Sequence, residues 1–200
     1  TSLLPLALTM GEPAGIGGEL TLKAWLALSA NGPSFVALDD PARLAAIAAR
    51  LNLKVPIRPV ATMAEGAAVF AKALPVLPVA LPQESVPGRP NPAQAEAVLA
   101  SIRRAVELAQ AGEASGIVTN PIQKSNLSAA GFGFPGHTEY LEHLAGPGHH
   151  AQMMLAGRGL RVVLVTIHEP LAKAIARLTT EMIVEAGLRA AASFRSDLGI

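Results

Sequence analysis

Cysteine is absent from the 200 residues, which excludes disulfides, thiolate nucleophiles and Cys-based zinc sites. A cysteine-free chain suits a reducing cytoplasm, the expected compartment. Aromatic residues make up only 4%, so any core must be built from Ala, Leu, Val and Ile. Charge is also scarce, at 16% of residues with a net value of +1, and no Lys/Arg run forms a phosphate-backbone footprint. Nucleic acid is therefore not an expected partner. Long apolar runs are missing too. The apolar opening at 3–8 has no basic residue before it, is too short for a membrane span and enters a Gly-rich turn. It reads as a buried first strand, and no membrane partner is expected.

What is present is a chain half apolar by composition, enough for one ordinary domain or two small α/β lobes sharing a cleft. Strand-like and helix-like segments alternate, the signature of a mostly parallel α/β sheet. Strands are expected at 3–9, 34–38, 56–60 and 116–119, and helices at 19–29, 41–51 and from about 92 to 110. Asp40 followed by Pro41 signals a helix start. The proline-rich stretch 75–92 reads as strand pieces and loop. Further on, helices are expected at 124–130 and 138–144, a strand pair at 152–156 and 161–167 joined by Gly157-Arg158-Gly159, and helices at 171–178 and 181–195. The Thr119-Asn120-Pro121 turn marks a lobe boundary, giving lobes 1–120 and 121–200.

Four places could carry chemistry. The loop from Gly11 to Gly18 lets backbone N–H groups approach an anion, or is simply a tight strand-to-helix turn; it is neither a dinucleotide fingerprint nor a P-loop. His137 and Thr138 stand where a helix begins, suiting a phosphate or carboxylate, although Thr138 could instead be a plain N-cap. Lys124, at another helix start, could reach a phosphate or a developing oxyanion. His168 follows the strand 161–167, where α/β sheets place their ligands, and imidazole is a common metal ligand. One histidine makes no metal site, and His149 and His150 lie in a Gly/Pro loop.

Taken together, Gly11-Glu12-Pro13-Ala14-Gly15-Ile16-Gly17, Thr119-Asn120-Pro121-Ile122-Gln123-Lys124, Pro135-Gly136-His137-Thr138-Glu139-Tyr140 and Thr166-Ile167-His168-Glu169-Pro170-Leu171 resemble, in order, the motif blocks of the 4-hydroxythreonine-4-phosphate dehydrogenase family. The resemblance implies two α/β/α lobes around a cleft, as in isocitrate and isopropylmalate dehydrogenases, and a homodimer. It implies oxidation of 4-phosphooxy-L-threonine with NAD or NADP and a divalent metal (Zn, Mg or Co). Decarboxylation to 3-amino-2-oxopropyl phosphate, a pyridoxal phosphate precursor, follows. His137 and Thr138 then match the substrate-binding pair and His168 the first metal histidine. The family's two later metal histidines, and much of its nicotinamide site, are expected beyond Ile200. The last helix also lacks the strand an alternating pattern would place after it, so the sequence reads as cut short and, by itself, inactive. Rival readings are a sister dehydrogenase of a phosphorylated four-carbon sugar acid, a phosphate acyltransferase of related fold, and a silent phosphate-binding module.

Overall fold

The computed structural model describes residues 4–199 and divides the chain into two compact units, Thr1–Pro147 and Gly148–Ile200. The α/β class expected from the alternating pattern is the class observed.

The first unit is built on a five-stranded sheet of β1 (Leu6–Thr9), β2 (Phe35–Asp39), β3 (Ile57–Pro59), β4 (Leu74–Pro78) and β5 (Ile117–Val118). The spatial order is β3-β4-β2-β1-β5, and every pairing is parallel. Parallel neighbours need crossover helices, and these cover both faces. Helices α1 (Gly17–Leu28) and α2 (Pro41–Arg50) bury Leu22, Trp25, Leu44 and Ile47 against Phe35, Ala37 and Val76 on one face. Helices α3 (Met63–Val69) and α4 (Ala95–Gln110) bury Met63, Ala105 and Leu108 against Ala7, Val36 and Leu38 on the other. Successive residues of β2 thus alternate between the two cores, as the period of two in a strand demands.

Asp40 caps α2 as expected, its carboxylate accepting from the amides of Ala42 and Arg43. The expected strand at 3–9 begins at Leu6, and Leu3 lies outside the described residues. Helix α3 has no counterpart among the sequence expectations. Its signal is Thr62, whose hydroxyl accepts from the Glu65 amide while Glu65 accepts from the Ala61 amide, a variant of the capping box.

A third cluster joins α4 to α5 (Lys124–Ala129) and α6 (His137–Ala145). Val98, Ile102 and Leu127 pack with Phe132 and Tyr140. Phe132, Phe134 and Tyr140 form a mutual ring cluster, with centroids 5.0–5.4 Å apart. Here the sparse aromatics are concentrated, and they fix the loop that delivers the amino end of α6.

The second unit holds an antiparallel hairpin of β6 (Met154–Gly157) and β7 (Leu160–Val163), then α7 (Leu171–Arg177) and α8 (Thr180–Ser193), which ends in a π-helical turn at Phe194–Leu198. Gly159 takes a left-handed φ of +75° in the hairpin turn. Strand β7 stops at Val163, four residues short of the expected end. Among the described residues, no helix is long and apolar enough to cross a membrane.

Candidate functional site

The opening Gly-rich loop is stitched to the central turn. Gly11 has φ +70°, and a Cβ there would stand 2.7 Å from the Asn120 Cβ and 2.8 Å from the Pro121 carbonyl. Only glycine fits. Asn120 is buried; its side-chain amide donates to the Thr9 carbonyl and the Thr21 hydroxyl, at 2.9 and 3.0 Å. The Glu12 amide donates to the Pro121 carbonyl. The Glu12 carboxylate, also buried, accepts from Asn126 on α5 at 3.0 Å and from the Ala14 amide at 3.1 Å. Glu12, Asn120 and Asn126 thus tie the first loop to the segment that carries Lys124. Sequence reasoning gave these three no role. Their signal was a run of amide and carboxylate side chains beside motif glycines.

Lys124 opens α5, and His137 and Thr138 are the first two residues of α6. The structure brings all three together around Gly136. A Cβ on Gly136 would lie 3.5 Å from the Lys124 ammonium and 3.6 Å from a Glu139 carboxylate oxygen. Gly136, not Thr138, is the N-cap of α6, and no side chain caps that end. The plain N-cap reading of Thr138 is therefore wrong. First-turn amides without an acceptor carry the positive end of the helix dipole, which favours an anion. The half-buried His137 has a buried Nε2 with no hydrogen-bond partner. Burial and the nearby Lys124 cation both push its pKa below the ordinary 6.5, so the ring is neutral at pH 7. An ammonium, an unpartnered imidazole nitrogen, a free hydroxyl and a helix amino end thus share one small region, a donor set suited to a phosphate.

His168 lies five residues past the end of β7, in irregular backbone at the left-handed φ of +55°, and is exposed. The expectation that it directly follows a strand is corrected, because the ladder ends at the Met154–Val163 pair. His143, on α6, packs its ring 4.9 Å from that of Phe134. Among the described residues, no three His, Asp or Glu side chains converge to hold a metal ion. These residues do not by themselves make a metal site.

The family model for "Pyridoxal phosphate biosynthetic protein PdxA" matches residues 32–200. The chain belongs to the PdxA family. A 4-hydroxythreonine-4-phosphate dehydrogenase of Caulobacter vibrioides is 44% identical over 201 residues, covering 98% of this chain and 59% of the relative. The Paracoccus denitrificans enzyme of the same name is 44% identical over 205 residues, with 100% and 59% covered. Among solved structures, a 4-hydroxythreonine-4-phosphate dehydrogenase from Burkholderia phymatum superposes with a TM-score of 0.84 at 30% identity, covering 97% of this chain and 59% of that one. A terephthalate 1,2-cis-dihydrodiol dehydrogenase from Burkholderia xenovorans is also similar, with TM-score 0.65 and 29% identity over 92% of this chain and 55% of its own. The chain thus spans a little under three fifths of the PdxA relatives it matches, and the architecture serves dehydrogenases of more than one substrate.

Proposed function

We propose that the protein is a 4-hydroxythreonine-4-phosphate dehydrogenase, acting as a two-lobed cytoplasmic homodimer. It oxidises the secondary alcohol of 4-phosphooxy-L-threonine with NAD or NADP, and the β-keto acid formed loses carbon dioxide. Family membership supports the reaction class. The observation that carries the substrate reading is the cluster of Lys124, His137 and Thr138 at the uncapped amino end of α6.

In this reading the chain's own residues bind and orient. The Lys124 ammonium offsets phosphate charge, the first-turn amides of α6 and the Thr138 hydroxyl donate to its oxygens, and neutral His137 donates through Nε2. Binding energy taken at the phosphate, remote from the reacting carbon, holds that carbon in register for hydride loss. The nicotinamide, when bound, accepts the hydride. His168 is proposed as one ligand of a divalent metal, and no step is assigned to that metal because the described residues do not complete its site.

Kinetics of the full-length enzyme test this. His137→Ala or Thr138→Ala should raise KM for 4-phosphooxy-threonine about tenfold or more, the loss expected for a hydrogen bond to a charged group, and change kcat far less. An unchanged KM with a collapsed kcat would remove phosphate recognition from this cluster. Its three side chains read the phosphate and not the amino group, so a phosphorylated four-carbon sugar acid is the second candidate substrate. A higher kcat/KM for phosphoerythronate than for 4-phosphooxy-threonine would favour it.

A further inference from the structure

Helix α5 carries Lys124 but has little of its own to hold it in place. It is six residues long, too short to be stable alone, and no side chain caps its amino end. Leu127 plugs it into the cluster of Val98, Ile102 and Phe132. An apolar plug is non-directional, so it leaves the rotation of so short a helix about its axis undetermined. A directional bond has to set that rotation.

Asn126 supplies it. This buried side chain donates through Nδ2 to Glu12 Oε2 at 3.0 Å and to the Asn91 carbonyl at 3.3 Å. Residues two apart on a helix stand about 200° apart round its axis, so an Asn126 turned in to Glu12 turns Lys124 outward. There the Lys124 ammonium lies 3.5 Å from where a Cβ on Gly136 would stand.

Glu12 in turn sits on fixed backbone. Its amide donates to the Pro121 carbonyl, the Pro13 carbonyl accepts from Arg43 Nε, and the Ala14 carbonyl accepts from the Gly88 amide. Arg43 is itself locked, with Nη1 donating to both oxygens of the buried Asp39. The Glu12 carboxylate faces two amide donors, Ala14 N–H on Oε1 and Asn126 on Oε2. A carboxylate answers both, whereas a glutamine would set its own NH₂ against that of Asn126. Asn126 could turn its oxygen to meet it only by giving up the Asn91 carbonyl. The geometry thus demands a carboxylate at position 12.

We propose that Glu12, acting through Asn126, is a positioning residue that fixes the rotation of α5 and so holds the Lys124 ammonium at Gly136. Its effect on phosphate binding rests on the reading of the Lys124–His137 cluster given above; its effect on where Lys124 stands does not. His137 reports that position. Burial, and after it the Lys124 cation, hold the His137 pKa below the ordinary 6.5, so a Lys124 that swings away lets the value rise. Loss of the Glu12 negative charge alone would lower it. The two causes move the ring in opposite directions.

NMR titration of the full-length protein is the test, with the His137 resonance assigned by its loss in His137→Ala. Glu12→Gln and Asn126→Ala should each raise the His137 pKa, by no more than Lys124→Gln does. On the Lys124→Gln background neither should raise it further. Trp25 emission reports that each variant is folded, and Asn126→Ala, which keeps the carboxylate, stands in for a Glu12→Gln protein that fails to fold. A His137 value unmoved or lowered in the folded variants would overturn the proposal. So would a rise that persists in full on the Lys124→Gln background, since lost burial would then be its cause. Inorganic phosphate titrated into the same samples should bind Glu12→Gln about tenfold more weakly than the parent. A parent protein that binds no phosphate would overturn the phosphate reading and leave the positioning role to the NMR result.

Discussion

The two compact units hold their apolar residues in opposite ways. In Thr1–Pro147, both faces of the parallel sheet are covered, and Leu22, Val36, Leu38, Leu44 and Leu74 are fully buried. In Gly148–Ile200, the buried apolar residues among those described are Ala186 and Ala190, while Leu155, Leu160, Leu171, Ile175 and Leu188 are all at least 60% exposed. The hairpin and helices of the second unit are nonetheless regular, because local devices suffice to draw them. A left-handed glycine turns the hairpin, and the Thr179 hydroxyl caps α8 by accepting from the Met182 amide. Local signals define an element; a covering layer gives it stability. The contrast also sets how each motif can be judged. The Lys124–His137 cluster sits in a packed framework that fixes its geometry, whereas among the described residues His168 belongs to no group of three possible metal ligands.

The sharpest way to break the first unit is through its buried ion pair. Arg43→Met leaves the Asp39 carboxylate buried without its cation, and the expected loss is about 3–5 kcal/mol. Denaturant titration followed by Trp25 emission reads it, since Trp25 is buried on α1 with its indole N–H on the Phe70 carbonyl. A loss under about 1 kcal/mol would show the pair to be dispensable.

Truncations matched between the units test the contrast itself. Leu22→Ala should cost about 2–5 kcal/mol through the cavity it leaves. Leu188→Ala, on exposed helix surface, should stay within about 0.5 kcal/mol. Equal losses would mean that the face of α8 around Leu188 is covered in solution.

The smallest effect concerns protons. NMR titration should find His137 below the ordinary 6.5, and Lys124→Gln should raise it part of the way back, leaving the larger contribution from burial. The sign for stability follows. A histidine whose folded pKa is depressed is protonated first in the unfolded chain, so stability falls as pH drops below about 6.5, and Lys124→Gln should shrink that fall. An unmoved His137 would separate the two side chains and dissolve the cluster.

Much of this was legible beforehand, for reasons that differ by residue. Asp40-Pro41 announced α2 because capping chemistry is local. The hairpin was legible because a Gly-Arg-Gly turn between two apolar runs leaves few other conformations. The start of α6 was misjudged because a glycine N-cap offers no side-chain signal, so Thr138 drew the helix start one residue late. The end of β7 was misjudged because the apolar run continues to Ile167 after the ladder bonds have stopped, and hydropathy does not register hydrogen bonding. Glu12, Asn120 and Asn126 were illegible because their partners are about a hundred residues distant, and no periodicity encodes that proximity.

That distance bears on how the molecule is made. Strand β1 lies between β2 and β5, its Thr9 carbonyl accepts from the Asn120 side-chain amide, and the loop after it donates through the Glu12 amide to the Pro121 carbonyl. Strand β1 is thus completed only by a strand about a hundred residues later in the chain. A nascent chain can zip β1 to β2 early, but one edge of β1 stays bare until β5 has left the ribosome. Such non-local closure slows folding and leaves an unpaired, apolar edge open to wrong partners while it waits. The glycine at position 11 therefore acts in time as well as in space, since the strand edge beside it is sealed only when Asn120 arrives.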